Sequence, residues 1–139
     1  MLPAVAIAIG DPSGIGPEIS IKAALDPAAR AMCRPILVGD RGVLELHARA
    51  CKLSLGGIDL IERTQFTRGE VKLGEVDPAC GRAALDSAKA AVRAALSGKV
   101  RAVVAAPHNE TAINLAGIAF DGYPSFVARL CGGACGAGG

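Results

Sequence analysis

The feature that most constrains the fold is an apolar run without polar alternation, Ala4 to Ile9, that leads into a glycine-rich loop and a helix start. A continuous apolar run is typical of a strand covered on both faces, because a strand with one wet face would alternate. Pro17 suits the first turn of the following helix, where a missing N–H costs nothing. The same order of apolar run, polar loop and helix start is found from Val100 to Glu110.

The other elements are predicted from short apolar stretches and from the capping residues Asp40, Asp77 and Asn109. They are strands over 35–38 and 57–61, and helices over 17–25, 41–51, 78–97, 110–116 and 125–130. Strands that alternate with helices favour an α/β fold, here an α/β/α sandwich with a mostly parallel sheet. Since parallel strands end at one edge, the loops after Ile9 and Ala106 are expected on the same side.

Composition and charge argue against several classes of partner. The chain has 15 Lys and Arg against 13 Asp and Glu, and the basic residues are scattered, so no nucleic-acid surface is expected. No apolar run reaches the length of about 18 residues that a membrane span needs. The 5 cysteines include no CxxC pair, and the N-terminus lacks the pattern of a signal peptide. These features indicate a cytoplasmic protein with free thiols.

The segment 131–139 consists of glycine, alanine and cysteine alone. Such a segment cannot bury enough apolar surface to offset its conformational entropy, so a disordered tail is expected after an ordered part over 1–130. The tail is interpreted as the ragged end of a truncated or frame-shifted chain. A flexible linker is the alternative.

The loop after the first strand is the first candidate site, because open α/β sheets bind ligands at the carboxyl ends of their strands. Its sequence, Gly10-Asp11-Pro12-Ser13-Gly14-Ile15-Gly16, fits neither the dinucleotide fingerprint nor the P-loop. Pro17 removes an N–H, and Glu18 already places a negative charge at the helix start, so an anion is disfavoured there. Asp11 is a candidate acceptor for a ligand hydroxyl. The alternative is a tight turn in which Asp11 bonds to the backbone.

The second candidate loop follows the strand over 100–106 and contains His108, Asn109 and Glu110. His108 is a candidate proton shuttle or ligand anchor near neutral pH. The alternative is that the cluster only starts a helix, with Asn109 as its cap and Glu110 in its first turn.

A third candidate is Tyr123, the only tyrosine, which stands between Gly122 and Pro124. The two neighbours stiffen the loop and fix the direction of the phenol. A surface turn with a half-buried tyrosine is the alternative. His47, inside the predicted helix over 41–51, is interpreted as a structural histidine, because no acid or second histidine is placed to help it bind a metal.

Together, the loop from Gly10 to Glu18, the segment from Pro107 to Gly117 and the turn around Tyr123 resemble the 4-hydroxythreonine-4-phosphate dehydrogenase family of vitamin B6 synthesis. The resemblance covers residues 4 to about 130 and the N-terminal half of that family. It implies a two-domain α/β/α fold like the isocitrate and isopropylmalate dehydrogenases, a homodimer, NAD as hydride acceptor and a divalent metal. The implied reaction is oxidation of a secondary alcohol beside a carboxylate, with possible decarboxylation.

Two departures point to a subgroup of this family. Gly122-Tyr123-Pro124 replaces the Gly-His-Thr of the biosynthetic enzymes, and Glu110 replaces a lysine. Both changes are similar to the terephthalate dihydrodiol dehydrogenase-like subgroup, which acts on aromatic dihydrodiol carboxylates. A carboxylate in place of a lysine also disfavours a phosphate at this position. The predicted substrate-binding residues are Tyr123, Pro124, His108 and Asp11.

The metal-binding histidines and much of the nucleotide pocket of that family lie in its second half, and neither His47 nor His108 matches a metal position. No catalytic, cofactor-binding or metal-binding residue is therefore predicted in this chain, which is expected to be a fragment that is inactive alone. Two alternatives remain. One is a non-catalytic α/β module that binds a small ligand or a partner, and the other is an inactive truncated chain.

Overall fold

The computed structural model describes residues 1–67 and 70–132, and its sheet contains four parallel strands in the order β3-β2-β1-β4. The strands are β1 (Ala4–Ala8), β2 (Arg34–Gly39), β3 (Asp59–Glu62) and β4 (Ala102–Ala105). The helices are α1 (Gly16–Leu25), α2 (Pro27–Met32), α3 (Arg41–Cys51), α4 (Pro78–Leu96), α5 (Glu110–Leu115) and α6 (Tyr123–Cys131). The predicted α/β fold with a parallel sheet is confirmed.

Alternate residues of the central strands supply two separate cores. On one face of the sheet, Ile9 and Leu37 pack with residues of α1 and α3, including Leu44. On the other face, Ala8 packs with Ala88 of α4. Both faces of β1 are covered, which explains why its sequence is apolar without alternation. Each large aliphatic side chain buried in this way contributes about 1.5–3 kcal/mol.

The direction of β4 agrees with the prediction, whereas its length and burial do not. The strand runs parallel to β1, as predicted, and the structure also pairs it with β1, Val5 lying beside Ala102. The prediction of a buried strand over 100–106 is wrong, however, because β4 is shorter, lies at one edge of the sheet and has three exposed residues out of four. Val104 remains 50% exposed. A local apolar pattern reports side-chain type, whereas burial depends on neighbours that the pattern does not show.

Two helices differ from the prediction. The helix α2 was not predicted, although Asp26 caps it by accepting a hydrogen bond from Ala28 N at 3.2 Å, and Pro27 follows as its first residue. The helix predicted over 17–25 ends just before this Asp-Pro pair, which itself starts the next helix. The helix α6 begins at Tyr123 rather than at residue 125, because Gly122 adopts a φ of 120° that turns the chain into the helix.

The three caps predicted from the sequence are confirmed. Side chains of Asp40, Asp77 and Asn109 each accept a hydrogen bond from a backbone N–H in the first turn of α3, α4 and α5.

The boundary predicted at residue 130 falls inside α6, and the tail predicted over 131–139 lies outside the described residues from residue 133 onward. None of the helices in the described part of the chain is both long and apolar enough to cross a membrane.

Candidate functional site

The loops that follow β1 and β4 are in direct contact at the carboxyl edge of the sheet. Asp11 N donates a hydrogen bond to Pro107 O at 2.9 Å. Gly10 precedes this contact with a φ of 76°, and a Cβ on Gly10 would stand 2.3 Å from Pro107 O. Only glycine permits so close an approach of two backbones in this conformation. The predicted position of the two loops on one side of the sheet is therefore confirmed.

The Asp11 side chain is buried and helps to shape its own loop. Its Oδ1 accepts hydrogen bonds from Ser13 N and Ser13 Oγ, both at 3.1 Å. These bonds are the ones expected for a tight turn. Oδ2 accepts no hydrogen bond from the residues that the structure describes. The role of Asp11 as an acceptor for a ligand hydroxyl remains a prediction, and Oδ2 is the atom that could fulfil it.

The segment before α4 is attached to the same loop. Gly74 N donates to Ser13 O at 2.7 Å, and Ser13 Oγ also approaches the carbonyl oxygen of Glu75. Cys80, in the first turns of α4, is fully buried, and this burial raises the pKa of its thiol to about 11. A thiol with so high a pKa is protonated at neutral pH and is a poor nucleophile. Cys80 is therefore a packing residue of this loop.

Three aromatic rings stand beside the two loops. The His108 ring lies 4.9 Å from the ring of Phe120 and 4.6 Å from that of Tyr123, measured between centroids, and it meets both edge-on. Phe120 and Tyr123 are 5.8 Å apart, also edge-on. Such arrangements are favoured by the charge distribution of aromatic rings. Phe120 was not predicted as part of the site, although it is a rare aromatic between two glycines, Gly117 and Gly122.

The Tyr123 hydroxyl donates a hydrogen bond to Ala106 O at 3.3 Å. Burial raises the pKa of Tyr123 to about 12, so the phenol stays protonated and is a donor at neutral pH. Tyr123 is half-buried in the first turn of α6, while the neighbouring Pro124 is exposed. The segment 106–108 thus connects the three predicted residues. It contains His108, and its carbonyl oxygens accept hydrogen bonds from Asp11 N and from the Tyr123 hydroxyl.

Glu110 and Pro124 are exposed and are not drawn into this arrangement. Glu110 lies in the first turn of α5, where a negative charge favours the positive end of the helix.

His47 supports the first loop from the side of α3. Its side chain is 4% exposed, and its Nε2 lies 2.7 Å from Pro12 O. Because a carbonyl oxygen can only accept, Nε2 carries the proton in this contact. The interpretation of His47 as a buried, hydrogen-bonded structural residue is confirmed.

The start of α1 already holds a negative charge of its own. Glu18 accepts hydrogen bonds from Lys22 Nζ at 2.6 Å and from Cys51 Sγ at 3.1 Å. These donors, with Lys22 the stronger, hold the pKa of the Glu18 carboxyl below its usual range. Pro17 also removes one of the free N–H groups of this helix end. The start of α1 therefore does not fit the pyrophosphate of a dinucleotide.

The described residues also lack a candidate metal site. Across 1–67 and 70–132, no group of three or more His, Cys, Asp or Glu side chains is arranged to hold a metal ion. A metal ion can therefore be assigned no set of three ligands in this part of the chain.

Known dehydrogenases resemble the chain in sequence. It is 43% identical to a 1,2-dihydroxy-3,5-cyclohexadiene-1,4-dicarboxylate dehydrogenase of Comamonas sp, over 92% of this chain and 41% of that protein. Its structure superposes on a terephthalate 1,2-cis-dihydrodiol dehydrogenase of Burkholderia xenovorans LB400 with a TM-score of 0.78 and 43% identity, over 95% of this chain and 41% of the other.

A 4-hydroxythreonine-4-phosphate dehydrogenase of Burkholderia phymatum superposes with a TM-score of 0.87 and 28% identity, over 95% of this chain and 44% of that one. The chain thus spans less than half of the length of these relatives. The family model described as pyridoxal phosphate biosynthetic protein PdxA matches residues 31–136. The chain therefore belongs to the PdxA family, whose members named here are dehydrogenases.

Proposed function

We propose that this chain forms the substrate-positioning part of an NAD-dependent, metal-assisted dehydrogenase that oxidises a secondary alcohol beside a carboxylate. The observation that carries the proposal is the convergence of Asp11, His108 and Tyr123 on the segment 106–108, at the carboxyl edge of the sheet. Ligands of open α/β sheets bind at this edge.

The proposed substrate class is a ring diol carboxylate. The partly exposed rings of His108 and Tyr123, which pack on the buried ring of Phe120, offer an aromatic surface against which a cyclohexadiene ring could pack. A phosphate would instead need cationic or N–H-rich partners, each charged hydrogen bond being worth about 1.5–3 kcal/mol. The exposed Glu110 offers the opposite charge. The higher identity to the cyclohexadiene dicarboxylate dehydrogenase than to the phosphate ester dehydrogenase supports this choice.

The residues of this chain would bind and orient the substrate. The protonated Tyr123 hydroxyl can donate to a substrate carboxylate in place of Ala106 O, and Asp11 Oδ2 can accept from a ring hydroxyl. His108, half-buried beside Tyr123, would accept or deliver a proton. NAD would accept the hydride, and the described residues contain no group of three or more His, Cys, Asp or Glu side chains that could hold the metal.

The test is a full-length dehydrogenase of the family that carries Tyr123, Pro124 and Glu110 at the matching positions. We expect its kcat/KM to be at least about tenfold higher for a ring diol carboxylate than for a phosphorylated hydroxy amino acid, as a charge mismatch of 1.4 kcal/mol or more would give. A tenfold preference for the phosphate ester would overturn the substrate class and leave the family unaffected.

A pair of variants separates the ring of Tyr123 from its hydroxyl. Tyr123→Phe keeps the ring and should lower kcat/KM for the diol by the equivalent of about 0.5–1.5 kcal/mol, or more if the hydroxyl donates to a carboxylate. Tyr123→Leu also removes the ring and should lower it further. Equal activity of all three proteins would remove Tyr123 from the substrate site.

A further inference from the structure

The edge of the sheet formed by β3 has an open row of backbone groups. Arg63 N donates to Gly39 O of β2 at 2.8 Å, just after β3 ends. Because alternate residues of a strand face opposite neighbours, Ile61 also faces β2, while Leu60 and Glu62 direct their N–H and C=O groups outward. None of these outward groups has a hydrogen-bond partner among the described residues. Such a row is a template for a further strand.

A groove of about 390 Å³ runs between this edge and α4. Ile61 of β3 and the small side chains of Ala90 and Ala94 on α4 contribute its apolar surface. At the carboxyl end of β3, Arg63 Nε and Nη2 each donate to one oxygen of the Asp86 carboxylate at 2.9 Å, and both residues line the groove. The groove is therefore bounded by the open backbone edge on one side and by a helix on the other.

The charges that line this groove do not balance. Arg63 is neutralised by Asp86, and Glu62 lies 3.6 Å from Arg41, which is outside the groove. The other three cations of the groove are Lys89, Arg93 and Lys99, and none of them forms an ion pair with the described residues. The lining thus holds four cations and two carboxylates, a net charge of +2, and these three cations lie along α4 and just after its end, beside the open edge.

We propose that the edge of β3 and this groove bind an extended acidic peptide segment of another protein, which adds to the sheet as a fifth, outermost strand. An added strand would satisfy the outward N–H and C=O groups of Leu60 and Glu62, which a small anion in the groove would leave unpaired. Alternate side chains of the peptide would point towards α4, where glutamates meet Lys89 and Arg93. The remaining side chains would lie on the side of Leu60, which faces the apolar core under α3.

The test uses the 139-residue chain and a short capped peptide of alternating glutamate and valine. We expect the peptide to slow hydrogen exchange of the Leu60 and Glu62 amides at least roughly tenfold, since new strand pairing protects these groups. The double variant Lys89→Glu, Arg93→Glu should raise the Kd for the peptide more than about tenfold. Arg82→Glu is the matched control, because Arg82 is an exposed cation of α4 that does not line the groove, and it should change the Kd less than about twofold.

Three results would overturn the proposal. The first is equal binding of a peptide with proline at the positions facing β3, because proline has no N–H to pair with the edge. The second is inorganic phosphate at the same ionic strength giving the same protection, which would indicate a simple anion site. The third is unchanged affinity in the double variant. Far-ultraviolet circular dichroism of each variant, expected to match the original chain, shows that a loss of binding is not a loss of fold.

Discussion

Gly10 makes the contact between the two site loops possible, and its replacement should separate them. In Gly10→Ala the new Cβ meets Pro107 O at 2.3 Å and the residue keeps a φ of 76°. Gly57→Ala is the matched control, because Gly57 has a φ of 80° with no atom within 4 Å of a Cβ. We expect a loss of unfolding free energy of about 1 kcal/mol for Gly57→Ala and roughly 3 kcal/mol for Gly10→Ala, measured in urea. Equal losses would show that the backbone conformation alone, and not the contact, matters at Gly10.

The ionisation of Tyr123 can be measured directly by absorbance, because the chain has 1 tyrosine and 0 tryptophans. Burial raises its pKa to about 12 from the usual 10.0, so the folded chain holds the phenol proton more tightly than the unfolded chain does. This contribution to stability is fully present below pH 10 and is lost as the pH rises towards 12. Ultraviolet absorbance of tyrosinate should titrate near 12 in buffer and near 10 in denaturant. A midpoint near 10 in the folded chain would mean that the ring is open to water.

The sequence identifies individual residues of the site only where a residue type is scarce or conformationally unusual. Tyr123 and His108 stand out because tyrosine and histidine are rare in this chain, and the structure places their rings 4.6 Å apart. Phe120, which contacts both rings, was overlooked, since an apolar aromatic in a loop is also typical of ordinary packing. The hydrogen bond from Ser13 N to Asp11 Oδ1 is local, and the preference of aspartate for tight turns does predict it.

At the scale of elements, Asp40 fastens the loop after β3 to the start of α3. Its Oδ1 accepts from Val43 N at 3.1 Å, and its Oδ2 accepts from Gln65 N at 2.7 Å and Phe66 N at 3.1 Å. The residue is 5% exposed, so water cannot replace these bonds. Only the bond to Val43 was predicted, because a cap is a local pattern, whereas the other two join residues 25 and 26 positions apart.

The prediction for Asp40→Asn follows from its three donors. An asparagine keeps one acceptor oxygen and turns an NH₂ group towards N–H donors, so at least one backbone donor loses its partner. We expect a loss of about 2–4 kcal/mol in unfolding free energy. Asp26→Asn is the control, because Asp26 is an exposed cap with one such bond, and asparagine caps as well as aspartate, so a loss of only about 0.3 kcal/mol is expected. A small loss at Asp40 would show that the loop is held by its other contacts.

The order of the elements was predictable, because each strand, loop and cap has a local signature in the sequence. The environment of each element was not predictable from these signatures. Pro107 and Gly10 are separated by most of the chain, yet the parallel direction of β1 and β4 follows from the alternation of strands and helices. That the two strands are neighbours in the sheet does not follow from it. The exposure of β4 does not follow, since its apolar residues would suit a central strand equally well. Likewise, the polar face of α4 is visible in the sequence, but its position beside the open edge of β3 is visible only in the fold.

At the scale of the whole molecule, the two edges of the sheet differ in chemistry. β3 is flanked by the ion pairs Arg34–Asp59 and Arg41–Glu62, whose charges disfavour apolar association. β4 contains only alanine and valine, and its residues carry no charge. The edge of β4 is therefore suited to apolar packing, and that of β3 to a charged partner. The site loops lie at the carboxyl end of the β4 side of the sheet.

The last prediction concerns the activity of the 139-residue chain itself, which spans 41% of the length of the Comamonas dehydrogenase. Its described residues bring together the groups proposed to bind a ring diol carboxylate, but no group of three or more His, Cys, Asp or Glu side chains that could hold a metal. We expect the purified chain to perturb Tyr123 fluorescence on adding a cyclohexadiene diol carboxylate, and to reduce no NAD with or without a divalent metal. A phosphorylated hydroxy amino acid at the same concentration is the control and should leave the fluorescence unchanged. Metal-dependent NAD reduction would mean that the chain holds a complete catalytic site. Unchanged fluorescence with the diol would instead remove the proposed substrate surface from this part of the protein.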